Sequence, residues 1–312
     1  MKVYFPPTID GTGGKSAFIH RLKQSIPQFG VEITRKSGYD HDISLHVSRI
    51  KIKTDSKKVI RIDGVYHNNK QDIANKNRSM ATSVQKADGV VYQSEFSRAM
   101  GHRYLGEHSC EAVIHNGADP SVYDSLPLTD LPHKYNFIAA AKWRPHKRLT
   151  DIIKSFIALG RKDTCLYIAG NIQKAVVDYN KYKEIENIKF MGQLSQPSLG
   201  SLLKSCTASM HLCWFDSCPN SVIEALVAGC PVISNNVGGT PEIVKKAGGI
   251  ICPIDVPYNL EPVDLYHPPK INHRIVADAM NSALEKPIKV DRNALHIDIA
   301  AHKYSKFFRR IL

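Results

Sequence analysis

The sequence has no long apolar run and no regular cysteine spacing. None of its apolar stretches approaches the ~18 residues that a membrane-spanning helix needs, which excludes an integral membrane protein. Its seven cysteines are odd in number and contain no CxxC pair, whereas a disulfide-stapled secreted fold or a zinc ribbon needs regular close spacing. The first residues also lack the pattern of a secretory signal. We therefore expect a cytoplasmic protein with reduced thiols.

Acidic residues are scarce relative to basic ones. The chain has 42 Lys and Arg against 29 Asp and Glu, a net charge of +13 at pH 7. Such a surplus is typical of proteins that bind nucleic acid, an anionic membrane surface or phosphorylated small molecules. Residues 1–134 hold 19 basic and 14 acidic residues, and the remainder holds 23 and 15, so the surplus is spread over both halves. A dedicated nucleic-acid binder gathers its charge in a stripe with interleaved aromatics, so this class is the alternative and not the first hypothesis.

The 312 residues are enough for two domains, in which short β-branched runs alternate with amphipathic stretches. The predicted strands include residues 2–5, 59–62, 89–92, 136–141, 165–169, 188–191 and 231–234. This alternation predicts an α/β fold of parallel sheets with helices on both faces. We expect a first domain over residues 1–133 and a second over residues 134–295. We also expect residues 253–272 to be irregular and a basic amphipathic helix over residues 296–312 to pack back on the first domain.

Two short segments mimic ligand motifs without completing them. Residues 11–16, GTGGKS, end like a phosphate-binding loop, but Ile9 stands where that loop needs its first glycine. Gly13 and Gly14 would still bring bare amides to a helix start, which suits a phosphate, and a plain strand-to-helix turn is the alternative. Residues 40–42, DHD, resemble a metal-binding pair, but two carboxylates alone hold magnesium poorly. We interpret them as a solvated strand entry and predict no metal site.

Residues 214–233 carry the most informative pattern. Ser217 or Cys218 can cap a helix whose first position suits Pro219. The helix start would face the carboxyl ends of the strands and offer amides to an anion. Asp216 precedes the helix and Glu224 follows eight positions later. Two carboxylates with this spacing can accept hydrogen bonds from the hydroxyl groups of a sugar and of a ribose, on either side of a pyrophosphate.

This segment resembles the E-x7-E signature of retaining family-4 glycosyltransferases, with Asp216 in place of the first glutamate. Residues 237–242 and 141–149 resemble that family's next loop and its basic donor-phosphate segment. The resemblance covers roughly residues 1–250 and indicates a short-chain member. It implies the GT-B fold, in which two doubly wound Rossmann-like domains face an inter-domain cleft.

The resemblance also assigns roles to single residues. Its catalytic positions correspond here to Lys142, Lys147, Asp216, Glu224 and Asp63. Its donor-binding positions correspond to Gly13, Gly14, Gly170, Met191, Gly192, Ser217, Cys218, Pro219, Asn220, Ser221 and Glu224. The two lysines would bind the donor diphosphate, although lysine lacks the planar fork of the family's usual arginine. Asp216 would contact the transferred sugar, and Glu224 would bind the ribose hydroxyls. Asp63 would lie beside the donor sugar, with His67 as the alternative.

The implied reaction moves a sugar from a nucleotide-diphosphate sugar to an acceptor hydroxyl with retention of configuration. It needs no metal and no other cofactor, and it belongs to glycan, polysaccharide or glycolipid assembly. The acceptor would be a sugar or a lipid-linked sugar. Pro219 has no N–H to donate, and Asp216 is one methylene shorter than glutamate, so a catalytically impaired relative is a further alternative. The basic C-terminal helix, with Phe307 and Phe308, either docks on an anionic membrane or packs on the first domain.

Overall fold

The computed structural model describes residues 1–5, 14–34, 40–172 and 177–312. Residues 11–13, with Gly13 among them, lie outside the described residues, whereas Gly14 is the first residue of a helix. No helix among the described residues is both long enough and apolar enough to traverse a bilayer.

Two six-stranded sheets organise the chain, and all their pairings are parallel. The strands of the first sheet are β1 (Lys2–Tyr4), β2 (Glu32–Thr34), β3 (Ile43–Val47), β4 (Lys57–Ile62), β5 (Gly89–Tyr92) and β6 (Glu111–Val113). The strands of the second are β7 (Tyr135–Ala140), β8 (Thr164–Ala169), β9 (Ile188–Gly192), β10 (Ala208–His211), β11 (Val232–Asn235) and β12 (Gly249–Cys252). The fold class predicted from the alternating pattern is confirmed.

Strand order places the binding edge of each sheet. The first sheet runs β2-β1-β3-β4-β5-β6 and the second β12-β11-β10-β7-β8-β9. In the second sheet β8 and β9 lie on one side of β7, and β10, β11 and β12 lie on its other side. A crevice opens at such a switch point, beyond the carboxyl ends of the two central strands. The segments after β7 and β10 therefore lie side by side.

Eleven helices among the described residues connect and cover the strands. They are α1 (Gly14–Ser25), α2 (Ile73–Gln85), α3 (Glu95–Leu105), α4 (Pro120–Asp124), α5 (Leu149–Leu159), α6 (Tyr179–Tyr182), α7 (Gln196–Ser205), α8 (Asn220–Val227), α9 (Thr240–Ala247), α10 (His273–Glu285) and α11 (Ile297–Ile311). Short 3-10 turns cover Ile26–Phe29, Pro145–Lys147 and Arg292–Leu295. Their apolar faces bury separate clusters against the two sheets. Between β12 and α10 the chain contains neither helix nor strand, and its Val263 forms a single bridge to Asn68.

The last helix crosses back from the second sheet to the first. Its Tyr304 and Phe308 are fully buried among side chains of β1 and α1, and Phe307 is 5% exposed. Ser305 Oγ donates a hydrogen bond of 2.9 Å to the Phe29 carbonyl. The aromatic pair that could have entered a membrane is therefore in the protein core, and packing on the first domain is the arrangement observed.

Candidate functional site

A cavity of about 380 Å³ lies between the two domains at the switch point of the second sheet. The first domain lines it with Arg61, Asp63, Gln93 and Asn116. The second domain lines it with Ala141, Lys142, Arg144, Lys147, Asp216, Ser217, Cys218, Pro219, Asn220 and Ser221. Eight of the residues singled out from the sequence within 216–221 and 142–147 are thus brought to one place, although they lie up to 79 positions apart.

Lys147 and Asp216 form the central contact of this inter-domain cavity. Lys147 ends the short turn after β7 and Asp216 belongs to the loop after β10. The Lys147 Nζ donates a hydrogen bond of 2.6 Å to Asp216 Oδ2, and both side chains are about four-fifths buried. Burial disfavours both charges, but their mutual attraction outweighs it, so the pKa of Lys147 is raised and that of Asp216 is lowered. An ammonium has three donors, so Lys147 can bind an anion while it keeps Asp216.

The backbone around Asp216 is held in an unusual conformation. Phe215 has a φ of 66°, a region that costs a non-glycine residue free energy and is often found at functional sites. The Gly239 N–H donates 2.8 Å to the Asp216 carbonyl. A Cβ at Gly239 would lie 1.9 Å from the Ser217 carbonyl oxygen, so only glycine allows this approach. The Gly238–Gly239 loop therefore presses directly on residues 216–217.

The start of α8 corrects one prediction. The helix begins at Asn220, and Pro219 occupies the cap position with φ −68° and ψ 119°. Neither Ser217 nor Cys218 is the cap residue, because Pro219 occupies that position, and it makes no side-chain cap hydrogen bond. The prediction that Pro219 is the first helical residue is wrong by one position. The Pro219 carbonyl instead accepts the N–H groups of Val222 and Ile223.

Two further cations border the inter-domain cavity. Lys142 follows β7 and Arg144 lies two positions on, and both are exposed. The sequence assigned Arg144 no role, so its place in the lining is new. It assigned none to the neighbouring Arg148 either, and this side chain proves to be buried. Its guanidinium is fully buried and forms two bonds of 2.6 and 2.7 Å to the Asp255 carboxylate, which tie the residue 253–272 segment to the second domain.

The first domain contributes a hydrogen-bonded wall that the sequence interpretation largely missed. Asp63 is paired with the buried Arg61 and accepts 2.9 Å from Gln93 Nε2. Arg61 also donates 2.7 Å to Asn116 Oδ1. Asn116 Nδ2 then reaches across the cleft to the Cys218 carbonyl at 3.2 Å and to Asn220 Oδ1 at 3.1 Å. The available signal was Arg61, a charged residue within a strand otherwise predicted to be buried.

Glu224 and His67 lie outside the lining of the inter-domain cavity. The Glu224 carboxylate is paired with Arg21 of α1, and both side chains are at least 85% buried. This pair joins the two domains beside the cavity. The His67 ring lies edge-on to Phe215, with Nδ1 3.1 Å from the Val65 carbonyl oxygen.

The strand-end glycines lie on the same edge of the second sheet but do not line the inter-domain cavity. The Gly170 N–H donates 2.6 Å to the Gly192 carbonyl, and a Cβ at Gly170 would lie 1.9 Å from the Ala141 carbonyl oxygen. Met191 is 40% exposed beside them. Their predicted contacts with a donor remain predictions.

One group of side chains could hold a metal ion. Ligand atoms of His211, Cys213 and Asp216 all lie within 4.8 Å of one another. The residues suit a borderline ion such as Zn²⁺ by type. Because Asp216 is already bonded to the Lys147 ammonium, a metal there would have to displace that charge. The expected absence of a metal requirement stays a prediction.

Comparisons with known proteins agree with this arrangement. The sequence model of the family described as "Glycosyl transferases group 1" matches residues 130–259. The N-acetyl-alpha-D-glucosaminyl L-malate synthase of Bacillus anthracis is 24% identical over 190 residues, which cover 57% of this chain and 49% of the relative. The chain thus matches about half the length of that curated protein.

Solved structures extend the likeness to the whole chain. The glycosyltransferase AviGT4, involved in avilamycin A biosynthesis, has a TM-score of 0.68 at 16% identity, covering 99% of this chain and 97% of that one. HepE of Anabaena, solved in complex with UDP and glucose, has a TM-score of 0.65 at 14% identity, covering 100% and 98%. Sucrose-phosphate synthase of Thermosynechococcus elongatus has a TM-score of 0.66 at 11% identity, covering 100% and 94%. The chain therefore has the GT-B fold, and the match of its second domain to the group 1 family supports a glycosyltransferase.

Proposed function

We propose that this protein is a retaining glycosyltransferase that moves a sugar from a nucleotide-diphosphate sugar to an acceptor hydroxyl. The observation that carries the proposal is the Lys147–Asp216 pair at the switch point of the second sheet, with Lys142, Arg144 and the start of α8 around it. Cations and helix amides gathered beyond parallel strands suit a diphosphate. HepE binds UDP and UDP-glucose, so UDP-sugars are the first donors to test.

The barrier to such a transfer arises mainly from charge that builds on the departing diphosphate. Lys142, Arg144 and Lys147 would stabilise that charge from fixed positions, which is more effective than mobile water. Asp216 would accept a hydroxyl of the transferred sugar while it keeps Lys147 oriented. Retention and the absence of a metal cofactor rest on the resemblance to family 4, which implies attack on the front face with the leaving phosphate accepting the proton.

Glu224 would bind the ribose of the donor. Its carboxylate has room for about four hydrogen bonds, so it can accept ribose hydroxyls without releasing Arg21. The proposed product belongs to glycan, polysaccharide or glycolipid assembly, with a sugar or lipid-linked sugar as acceptor. A cytoplasmic location is part of the proposal, and the seven cysteines, which are all free thiols, support it. Membrane contact also remains part of the proposal, without a contribution from the buried Phe307 and Phe308.

Transfer and donor hydrolysis by Lys147→Ala and Glu224→Ala variants test this function. We expect Lys147→Ala to lower turnover by about 10²–10³, the usual effect of removing one group that stabilises a developing anion. Glu224→Ala should mainly weaken donor binding, measured by saturation-transfer NMR with a panel of nucleotide sugars. Lys154→Ala, an exposed lysine of α5 outside the cavity lining, is the matched control. Near-normal activity in both site variants would overturn the proposal.

A further inference from the structure

A second concave surface lies on the first domain and shares no lining residue with the inter-domain cavity. It is formed between the segment that joins β3 to β4, residues 48–56, and the exposed face of α2. The space between them is about 990 Å³. We call it the basic groove. Along α2 it extends from Asn75 to Lys86, which is about 16 Å at the rise of an α-helix.

The lining of the basic groove is strongly positive. Its six basic residues are Arg49, Lys51, Lys53, Lys58, Arg78 and Lys86. Of the residues that the structure describes, Asp55 is the only acidic one in the lining. Within the described parts of the chain, none of the six lies within 4 Å of a carboxylate oxygen, whereas neighbouring Lys57 pairs with Asp88 at 3.1 Å. Five of the thirteen surplus positive charges thus face one groove without an internal counter-charge.

The chemistry of the lining selects among anionic partners. Among the described residues no aromatic side chain lines the groove, so these residues offer single-stranded nucleic acid no stacking platform. The two isoleucines of the lining, Ile50 and Ile52, are only partly exposed, and none of the exposed large apolar side chains of the described residues lies there. The groove therefore offers little apolar surface to the acyl region of a membrane. Thr54, Ser79 and Thr82 add hydroxyl groups between the cations. Hydroxyls mixed with cations along a narrow groove suit a chain that carries both sugar hydroxyls and repeated negative charges.

We propose that the basic groove binds an anionic polysaccharide chain through its carboxylate, sulfate or phosphate groups. This binding goes beyond the proposed transfer reaction and does not depend on it, because the groove shares no residue with the inter-domain cavity. The groove holds the chain on the first domain, and it does so with no nucleotide sugar present.

Fluorescence anisotropy with labelled hyaluronan and heparin octasaccharides tests the proposal, with neutral maltooctaose as the uncharged probe. The test variant is the triple Lys51→Glu, Lys53→Glu, Lys86→Glu, and the control triple is Lys154→Glu, Lys162→Glu, Lys189→Glu in the second domain. All six lysines are exposed, and both triples change the net charge equally. We expect at least one charged octasaccharide to bind and maltooctaose not to bind. The groove triple should weaken binding by about tenfold or more, while the control triple should change it by about twofold or less.

Several outcomes would overturn the proposal. Equal weakening by both triples would mean that net charge alone attracts the probes. Tighter groove-dependent binding of a short single-stranded DNA, or of phosphatidylglycerol vesicles, would assign the groove to another class of partner. If neither charged octasaccharide binds at low salt, the basic groove is not a binding site for an anionic polysaccharide. Circular dichroism of each triple controls for folding, and because no donor is added, failure here leaves the proposed transfer function untouched.

Discussion

His46 and His211 are buried side chains whose surroundings keep them neutral. Burial lowers the pKa of His46 to about 4, with a smaller contribution from nearby Lys58. Burial likewise lowers the pKa of His211 to about 3, and the Lys147 charge adds to this. In the unfolded chain both return to the ordinary value near 6.5. Between the two values the unfolded state binds more protons, so their contribution to stability is complete above about pH 6.5 and is lost as the pH falls towards 4.

We therefore expect acid to destabilise the protein partly through His46, which does not line the inter-domain cavity. Replacing it by glutamine should reduce the loss of unfolding free energy between pH 7 and pH 5 by about 1–2 kcal/mol, since each unit of pKa shift corresponds to 1.36 kcal/mol. Urea unfolding at several pH values measures this. His20→Gln, a change at an exposed residue of α1, should leave the pH slope unaltered. If the unfolding free energy of His46→Gln falls with pH as steeply as that of the unmodified protein, His46 does not contribute to the acid sensitivity.

At the scale of elements, the loop before α9 sets the position of the loop before α8. Gly239 has a φ of −84°, so alanine could adopt its backbone conformation. The obstacle is contact, because a Cβ there would meet the Ser217 carbonyl oxygen at 1.9 Å and Ser94 Oγ at 2.6 Å. The added methyl group must push residues 216–217 away, and Asp216 with them. Overpacking of this kind costs about 1–3 kcal/mol.

Gly239→Ala should accordingly weaken nucleotide-sugar binding as well as stability, because the displaced loop carries Asp216. Calorimetric titration with a nucleotide sugar measures the change in affinity, and thermal unfolding measures the change in stability. Gly160→Ala is the control, since Gly160 ends α5 with a φ of 67° and open space around its Cα. It should lose about 1 kcal/mol of stability and keep its ligand affinity. Equal loss of affinity in the two variants would refute the coupling between the loops.

The elements themselves were predictable because their signals are local. The apolar runs of β7 and β8 are each read within a dozen residues, and the structure places these strands where the sequence predicts them. Lys147 and Asp216 could be assigned to the same site only through the resemblance to a family. The partners of Glu224 and Glu242 could not be predicted, because Arg21 lies 203 positions away and Phe96 lies 146 away. Such pairs depend on how the two domains pack, which no local pattern encodes.

At the scale of the whole molecule, Glu242 joins the two domains. Its carboxylate, in the first turn of α9, accepts the backbone N–H groups of Glu95 and Phe96 at 2.9 Å each, and His115 Nε2 lies 3.2 Å away. Those two amides begin α3, where a helix leaves its donors unsatisfied. Burial would raise the pKa of Glu242, but His115 and the amides outweigh it and lower that pKa. A charged carboxylate of the second domain thus caps a helix of the first.

Glu242→Gln removes this charge while it keeps the shape of the side chain, and it should loosen the contact between the domains. The amides of Glu95 and Phe96 should lose protection in hydrogen exchange, because each charge-assisted hydrogen bond is worth about 1.5–3 kcal/mol and a neutral one about half of that. Glu261→Gln is the matched control, since Glu261 also crosses between domains, to Arg103 at 2.9 Å, but with both side chains 52% exposed. An exposed pair contributes at most about 1 kcal/mol, so its loss should leave the α3 amides protected. If both variants leave these amides equally protected, Glu242 is not what holds the start of α3 to the second domain, and the aromatic contacts of Phe96 with Phe215 and Tyr258 are the remaining contacts at that point.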